Sequence, residues 1–443
     1  MDLLRSKLAD NTRFLILGRA GVDFYPDPPG SKTEHSTNFV AHLGGSAANI
    51  AVALAKHRER RPGIECCLLT TVSDDALGRL ALHQLRAYGV NAECVNVATG
   101  DRDARISLAV VETTLGTDHQ SIIYRNHAAD LLISSEHVWE AFSTATELEP
   151  SKWGCLVATG TSLALEPSRS ATLTALRLAK ARGIPAVLDV DYRPYTWKSA
   201  AEASQVYRKA ACLCDIVVGN EAEFAVVAGP PETTSTTNSP TTANVVHGGV
   251  AEVKEGSAEY GRGMRFAKLL VSSGACLMTV FKMGQDGSVS FVNNRKITSA
   301  SSACNNPKGL QPEELLAQKI QAGAAGDSGA GLVQPSAPAA VPPLSVDLEK
   351  EVVDELKIGV FEVSPLKPTG AGDAFMGNLL AHLVDEEVEI KEALRRASAA
   401  AAIVVTRVGC APAMPSPEEL QAFLETAKER GFQADLTPLE EGR

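Results

Sequence analysis

The chain has 443 residues, 44% hydrophobic and 21% charged, which is enough apolar surface to bury a substantial core and excludes a wholly disordered or fibrous protein. Lys+Arg 42 against Asp+Glu 53 leaves a net charge of −11, so the summed field repels nucleic acid and anionic membrane, and phosphate chemistry needs a local positive pocket. The apolar runs stop short of the roughly 20 residues that a membrane-spanning helix requires, and MDLLRSKLADNTRF lacks the apolar core of a signal peptide. We therefore expect a cytoplasmic protein with no membrane or nucleic-acid partner. Nine cysteines, with Cys66 beside Cys67 and Cys212 near Cys214, form neither an even disulfide framework nor paired C-x-x-C zinc ligands, and read as free thiols.

In chain order, FLILG (14–18) predicts a buried strand, Ala47–Lys56 a helix, CCLLTTV (66–72) a strand and Gly78–Tyr88 a helix. Between Val95 and Tyr124 the segments ARISLAVVE and HQSIIYR alternate without helices between them, as half-exposed antiparallel strands of a small sheet or lid would. CLVATG, a helix through Ala171–Arg182, AVLDVD (186–191), LMTVFK (277–282) and KIGVFEV (357–363) resume the first pattern. Short apolar runs alternating with amphipathic helices predict an α/β fold with a parallel core sheet covered by helices on both faces. Residues 230–263 and 299–345 are rich in Thr, Ser, Pro, Gly and Ala and poor in large apolar groups; they read as low-complexity insertions into one domain over 13–425, with a tail at 426–443. Lid strands are expected at about 19–42 and 95–125.

Four motifs carry chemistry. Lys367-Pro368-Thr369-Gly370-Ala371-Gly372-Asp373 opens the helical pattern AFMGNLLAHLV. Glycines at a helix start let backbone N–H groups converge on an anion, and Asp373 stands beside them as a base for an alcohol proton; a plain glycine turn with a capping aspartate has the same local spacing. Gly323–Asp327 resembles this motif but lies in low-complexity sequence without flanking elements, and has no assigned role. Gly44-Gly45-Ser46-Ala47-Ala48-Asn49 opens a second helix, where paired glycines permit close backbone approach and Asn49 can bond hydroxyls. Asn220-Glu221-Ala222-Glu223 puts an amide and a carboxylate on one helical face, suited to Mg²⁺-bound water, phosphate oxygens or simple capping. Asp189-Val190-Asp191-Tyr192-Arg193 ends a strand, where open parallel sheets bind ligands. Arg193 offers a fork to an anion, or an ion pair to Asp189 or Asp191.

In this order, the glycine pair with Asn49, the Asn-x-x-Glu segment and Gly-Ala-Gly-Asp resemble the ribokinase-like (PfkB) carbohydrate kinases. The resemblance covers nearly all of 13–425 apart from the two insertions. It implies a parallel-core α/β fold with a small β lid, ATP with Mg²⁺ as cofactors, and phosphoryl transfer to a sugar hydroxyl. It further implies that Asp373 is the base, that Gly370, Ala371 and Gly372 form an anion hole, and that Asp23, Gly44, Gly45 and Asn49 contact the sugar. Asn220 and Glu223 match the family's metal and phosphate motif, acting on the metal through water. KMGQDG (282–287) resembles the family's strand-turn near the nucleotide, which puts Lys282, Gly284 and Gly287 with Thr369 and Gly372 on the ATP side.

Lys367-Pro368 before Thr-Gly-Ala-Gly-Asp resembles the branch of the family that phosphorylates 5-dehydro-2-deoxygluconate in inositol catabolism, and GRAGVDFYPD, IIYRNHAADLLI and LDVDYRPYTW agree with it. The Tyr124-Arg125 pair and the Asp-x-Asp-Tyr-Arg-Pro segment also resemble 2-keto-3-deoxygluconate kinases. Arg125 and Arg193 are then substrate-binding candidates, Arg125 for a sugar carboxylate. Ribose and fructose kinases are further alternatives, and a non-catalytic homologue acting as a scaffold through its insertions is the alternative of another class. A lid-to-lid homodimer and a monovalent-cation requirement are both compatible with the family and undetermined by these residues.

Overall fold

Strand β1 (Arg13–Leu17) sends Phe14 and Ile16 to one face and Leu15 and Leu17 to the other, and all are fully buried. A strand apolar on both faces must be covered on both. The computed structural model describes residues 2–8, 12–113, 121–143, 153–229, 257–294 and 353–429. In it β1 joins β4 (Glu65–Val72), β5 (Val95–Val97), β8 (Cys155–Thr159), β9 (Ala186–Asp189), β10 (Ile216–Asn220), β11 (Met278–Lys282), β12 (Ser288–Asn293) and β13 (Val353–Ile358) in a nine-stranded sheet, order β13-β12-β11-β10-β9-β8-β1-β4-β5. Pairing is parallel from β5 to β11, and β12 and β13 add an antiparallel margin.

The same parity sorts the helices into two layers. Cys66, Leu68, Cys155, Val157, Ile216 and Val218 face a core shared with α2 (Ser46–Ala55), α3 (Ala76–Ala87), α9 (Ala371–Leu383), α10 (Ile390–Val405) and α11 (Pro417–Glu429), onto which α1 (Asp2–Leu8) also packs. Cys67, Leu69, Leu156, Ala158 and Val217 face α4 (Ser135–Ser143), α5 (Ser168–Ala181), α6 (Ala200–Ala211), α7 (Glu221–Ala228) and α8 (Ala258–Ser272). A second sheet, order β3-β2-β6-β7, is built from β2 (Gly21–Asp27), β3 (Asn38–Gly44), β6 (Ser107–Val111) and β7 (Ser121–Tyr124). It is fed by β1 through Gly18–Ala20 and returns to the helical layer through the Gly44-Gly45 turn.

Four expectations change. β5 pairs with β4 in the main sheet, so the lid takes only β6 and β7 from the 95–125 stretch; these two pair antiparallel as expected, and β6 joins β2 in parallel. Residues 257–263, placed by composition in an insertion, open α8: the Ser257 hydroxyl caps the Tyr260 N–H at 3.1 Å, and Phe266, Ala267 and Leu270 bury the helix. The strand expected at 357–363 is β13, which pairs with β12 from Asn293↔Val353 to Ser288↔Ile358 and stops before Gly359. The tail begins later than 426, because α11 runs through Glu429 with Leu424 and Ala427 buried. Residues 230–256, the expected insertion at 299–345 and the control motif at 323–327 lie outside the described residues. Among the described residues no helix is long and apolar enough to cross a membrane.

Candidate active site

The carboxyl ends of β1, β8, β9, β10 and β11 point the same way, and the chain leaves each of them carrying polar groups: Gly18-Arg19, Thr159, Asp189–Asp191, Asn220 and Lys282. A parallel sheet makes this edge the natural ligand crevice, because the chain leaves it there through loops, toward helices after β8, β9 and β10 and toward further strands after β1 and β11. The amino ends of α2 and α9 close the same crevice. These helices pack together, and Asn49 Nδ2 in the first turn of α2 donates to Asp373 Oδ2 in the first turn of α9 at 2.8 Å. Two motifs 324 residues apart in sequence thus form one site.

Gly370 caps α9 with φ +89°, a left-handed conformation that side chains rarely adopt, and so turns the following amides along the helix axis. Ala371 begins the helix, and Thr369 accepts a 2.5 Å hydrogen bond from Lys367 Nζ through its carbonyl. A Cβ on Gly372 would come within 3.2 Å of Lys282 Nζ, so the ammonium stands directly against the turn. Burial works against that charge, yet the carboxylates of Asp189, Glu223, Asp373 and Asp191 outweigh it and raise the Lys282 pKa. Glycine amides, a helix amino end and a held ammonium make a donor set for an anion with several oxygens.

Asp373 itself has its pKa pushed up to about 6 by burial and by the Asp191 carboxylate, against the Asn49 hydrogen bond, Lys282 and Arg193. Such a carboxylate is ionised at neutral pH yet basic enough to take a proton. Across the crevice, burial also raises Asp23 to about 6, opposed by Arg19 and Lys367. Gly44 is required beside it, because a Cβ there would overlap the Asp23 carboxylate. Gly45 caps α2. Asp23 Oδ1 and Asn49 Oδ1 are both buried with no hydrogen-bond partner, and acceptors in that state are ready for hydroxyl groups of a ligand.

The other candidates are engaged by the protein. Asn220 and Glu223 form a capping box: Asn220 Oδ1 accepts from the Glu223 N–H at 2.9 Å, and Glu223 Oε2 accepts from the Asn220 N–H at 2.7 Å. Oε1 of Glu223 accepts from the Tyr192 N–H at 3.3 Å. Arg193 forms a 2.7 Å ion pair with Asp191, one of the two partners the sequence offered, and Asp191 also accepts from the Ser46 hydroxyl at 2.6 Å. Asp189 lies 3.8 Å from Lys282. Gly284 and Gly287 bound the turn between β11 and β12, one step beyond Lys282.

Arg125 departs from the expectation of a lid arginine facing a ligand. Its guanidinium pairs with the buried Asp130 through Nη2 and Nε, and its Nη1 donates to the Thr161 carbonyl at 2.9 Å. Asp130 in turn accepts from the Ser107 hydroxyl at 2.9 Å. The physical reason is that Asp130 is buried and needs a cation, which Arg125, five residues earlier, supplies.

Sequence reasoning missed Arg19, Ser46 and the buried Lys367 as members of the site. Arg19 acts on the charges of Asp23 and Asp191. Lys367 lies among Asp23, Asp373 and Cys410, with burial lowering its pKa and those groups raising it. A lysine preceding a glycine-rich helix start was the available signal for Lys367; nothing local distinguished Arg19. The described cysteines are free thiols, and Cys67, Cys94 and Glu93 bring their donor atoms within 4.8 Å of one another.

Comparison with known proteins bears on this geometry. The family model for pfkB family carbohydrate kinases matches residues 11–253 and 351–417, leaving β11 and β12, with Lys282, Gly284 and Gly287, between the matched stretches. A 5-dehydro-2-deoxygluconokinase from Photobacterium profundum is 30% identical over 418 residues, covering 94% of this chain and 95% of that protein. Among solved structures, a fructokinase with bound ATP from Xylella fastidiosa superposes with a TM-score of 0.60 at 18% identity, covering 94% of this chain and 99% of its own. A protein described as a Ribokinase II from E. coli, in complex with ATP and Mg²⁺, gives a TM-score of 0.61 at 16% identity, with coverage of 94% and 99%.

Proposed function

The chain belongs to the pfkB family of carbohydrate kinases, and from that premise we propose that it transfers the γ-phosphoryl group of ATP to the primary hydroxyl of 5-dehydro-2-deoxygluconate. It is a phosphotransferase with an alcohol as acceptor. The observation that carries the reading is the Asn49–Asp373 hydrogen bond, which joins the sugar-side helix to the glycine-lined turn and sets the base between them. The sugar assignment is supported by relatives named 5-dehydro-2-deoxygluconokinase that match nearly the whole chain.

ATP supplies the transferred group, with Mg²⁺ to neutralise its charge. The residues fit both: the Gly370–Gly372 turn leaves a cradle beside the Lys282 ammonium, and Glu223 with Asp189 offers oxygen donors toward Mg²⁺-bound water. Asp23 and Asn49 hold sugar hydroxyls through their unpartnered oxygens. Asp373 accepts the proton of the primary hydroxyl as the new O–P bond forms and the bond from the γ-phosphorus to the β,γ-bridging oxygen breaks, that oxygen leaving on ADP, while the amides that follow Gly370 stabilise the charge on the phosphoryl oxygens. The β2-β3-β6-β7 sheet, placed at the mouth of the crevice by the Gly18–Ala20 and Gly44-Gly45 connections, excludes water so that phosphate goes to the sugar rather than to hydrolysis.

A phosphoryl-transfer screen tests the reading. With ATP and Mg²⁺ under one set of conditions, 5-dehydro-2-deoxygluconate is expected to give a kcat/KM at least about tenfold above 2-keto-3-deoxygluconate, ribose and fructose. A higher value for any of the others would reassign the substrate, and no sugar-dependent ADP formation with any of them would overturn the proposed activity.

A further inference from the structure

A sugar acid brings a carboxylate into the crevice, and the cations there differ in whether they are already engaged. Arg125 is paired with Asp130 and Thr161, Arg193 with Asp191, and Lys282 stands against the phosphate turn next to Asp189. Lys367 donates to the Thr369 carbonyl. Arg19 is in a different state: its Nη1 is buried and has no hydrogen-bond partner. A guanidinium N–H left unpaired away from water is costly, and a carboxylate is the partner whose geometry matches its fork.

The position of that nitrogen is fixed by the lid. A Cβ on Gly21 would lie 3.1 Å from Arg19 Nη1, so the guanidinium folds against the first residue of β2. Gly21 is in register with Gly44 on one side and with Ser107 on the other. Arg19 therefore lies between the glycine pair beside Asp23 and the Ser107–Asp130–Arg125 network. Three unpartnered buried atoms occupy this region, two of them acceptors, Asp23 Oδ1 and Asn49 Oδ1, and the third the cationic donor Arg19 Nη1. That is the complement of a ligand with hydroxyls along its chain and a negative charge at one end.

We infer that Arg19 forms the subsite for the substrate's carboxylate and so sets the preference for acidic over neutral sugars. The inference rests on the reading of the protein as a sugar-acid kinase and adds a residue to it. Arg125 then acts as a positioning residue, holding Asp130 and the lid base beside Arg19.

Steady-state kinetics of Arg19→Ala and Arg19→Gln against the wild-type protein test it, with 5-dehydro-2-deoxygluconate and fructose as probes. Loss of one charge-assisted contact predicts a roughly ten- to hundredfold rise in KM for the acid in Arg19→Ala, with a smaller change in kcat. The KM for ATP is expected to stay within about twofold, and the KM for fructose to rise by much less than that for the acid, since Arg19 also acts on the charge of Asp23. Arg19→Gln keeps a donor of similar reach without the charge; it is expected to raise the acid's KM several-fold and to weaken the rise of KM with salt that is expected of the wild-type protein. If Arg19→Ala does not fold, Arg19→Gln decides the question by the same two readouts. A wild-type protein that phosphorylates the acid, with variants whose KM for it stays within about twofold, would overturn the role of Arg19 and leave the kinase reading standing. A wild-type protein that prefers a neutral sugar would overturn both.

Discussion

Asp373 and Asp23 are both raised to about 6 by burial, and both face the crevice. The sign of the consequence follows from their roles. Below about pH 6 Asp373 gains a proton and can no longer accept one, and Asp23 loses its preference for hydroxyl donors. The kcat/KM for the sugar is therefore expected to fall on the acid side of that pH, with a slope approaching about two decades per pH unit as both groups protonate. Asp23→Asn should reduce that limb to a slope of about one. A flat profile between about pH 5 and 7 would show that neither carboxylate titrates in catalysis. For stability the direction is opposite: a folded-state pKa above the unfolded value means that ionised Asp373 costs stability above about pH 6, a cost that disappears below about pH 4. The motif residues were legible because each sits in a local pattern with a chemical reason, glycines before a helix and an acid just inside it. Arg19 was not, since its isolation as an unpaired donor depends on Gly21, Gly44 and Ser107 meeting in three dimensions.

At the scale of elements, the crossing of α2 and α9 turns two separate glycine-rich helix starts into one cleft, and the sheet edge delivers Asp189, Asn220 and Lys282 to it. The strands of the main sheet were readable from short apolar runs, because burial on both faces leaves little room for polar residues. Lid topology was not readable: the segments at 95–97 and 107–111 look alike in sequence, and only β4 and β2 as neighbours assign one to each sheet. The lid base has its own test. Arg125 and Asp130 are both buried, so Arg125→Ala leaves an unpaired carboxylate beneath β6. Thermal or urea unfolding should show a loss of about 3–5 kcal/mol, and Asp130→Asn in the same background should recover part of it. A variant as stable as the wild type would show that the pair contributes nothing to the lid.

At the scale of the molecule, one mostly parallel sheet with two helical layers organises the described residues, and the alternation of apolar runs and helices along the chain already pointed to it. The length of the connections bears little on that core. β12 and β13 pair from Asn293↔Val353 onward, so the ends of the segment 295–352 are adjacent. Replacing that segment by a short turn should preserve folding and kcat/KM for the sugar within about twofold, since loop-closure entropy changes slowly with length. A loss of fold or of activity would give the segment a structural or catalytic part. The account as a whole depends on Asp373 acting as the base in transfer to a sugar alcohol. Its most direct test is the turnover of Asp373→Asn with 5-dehydro-2-deoxygluconate, ATP and Mg²⁺, alongside nucleotide binding by the same variant. Turnover reduced by about a thousandfold or more with nucleotide affinity kept within a few-fold is the predicted result; turnover close to that of the wild type would contradict it.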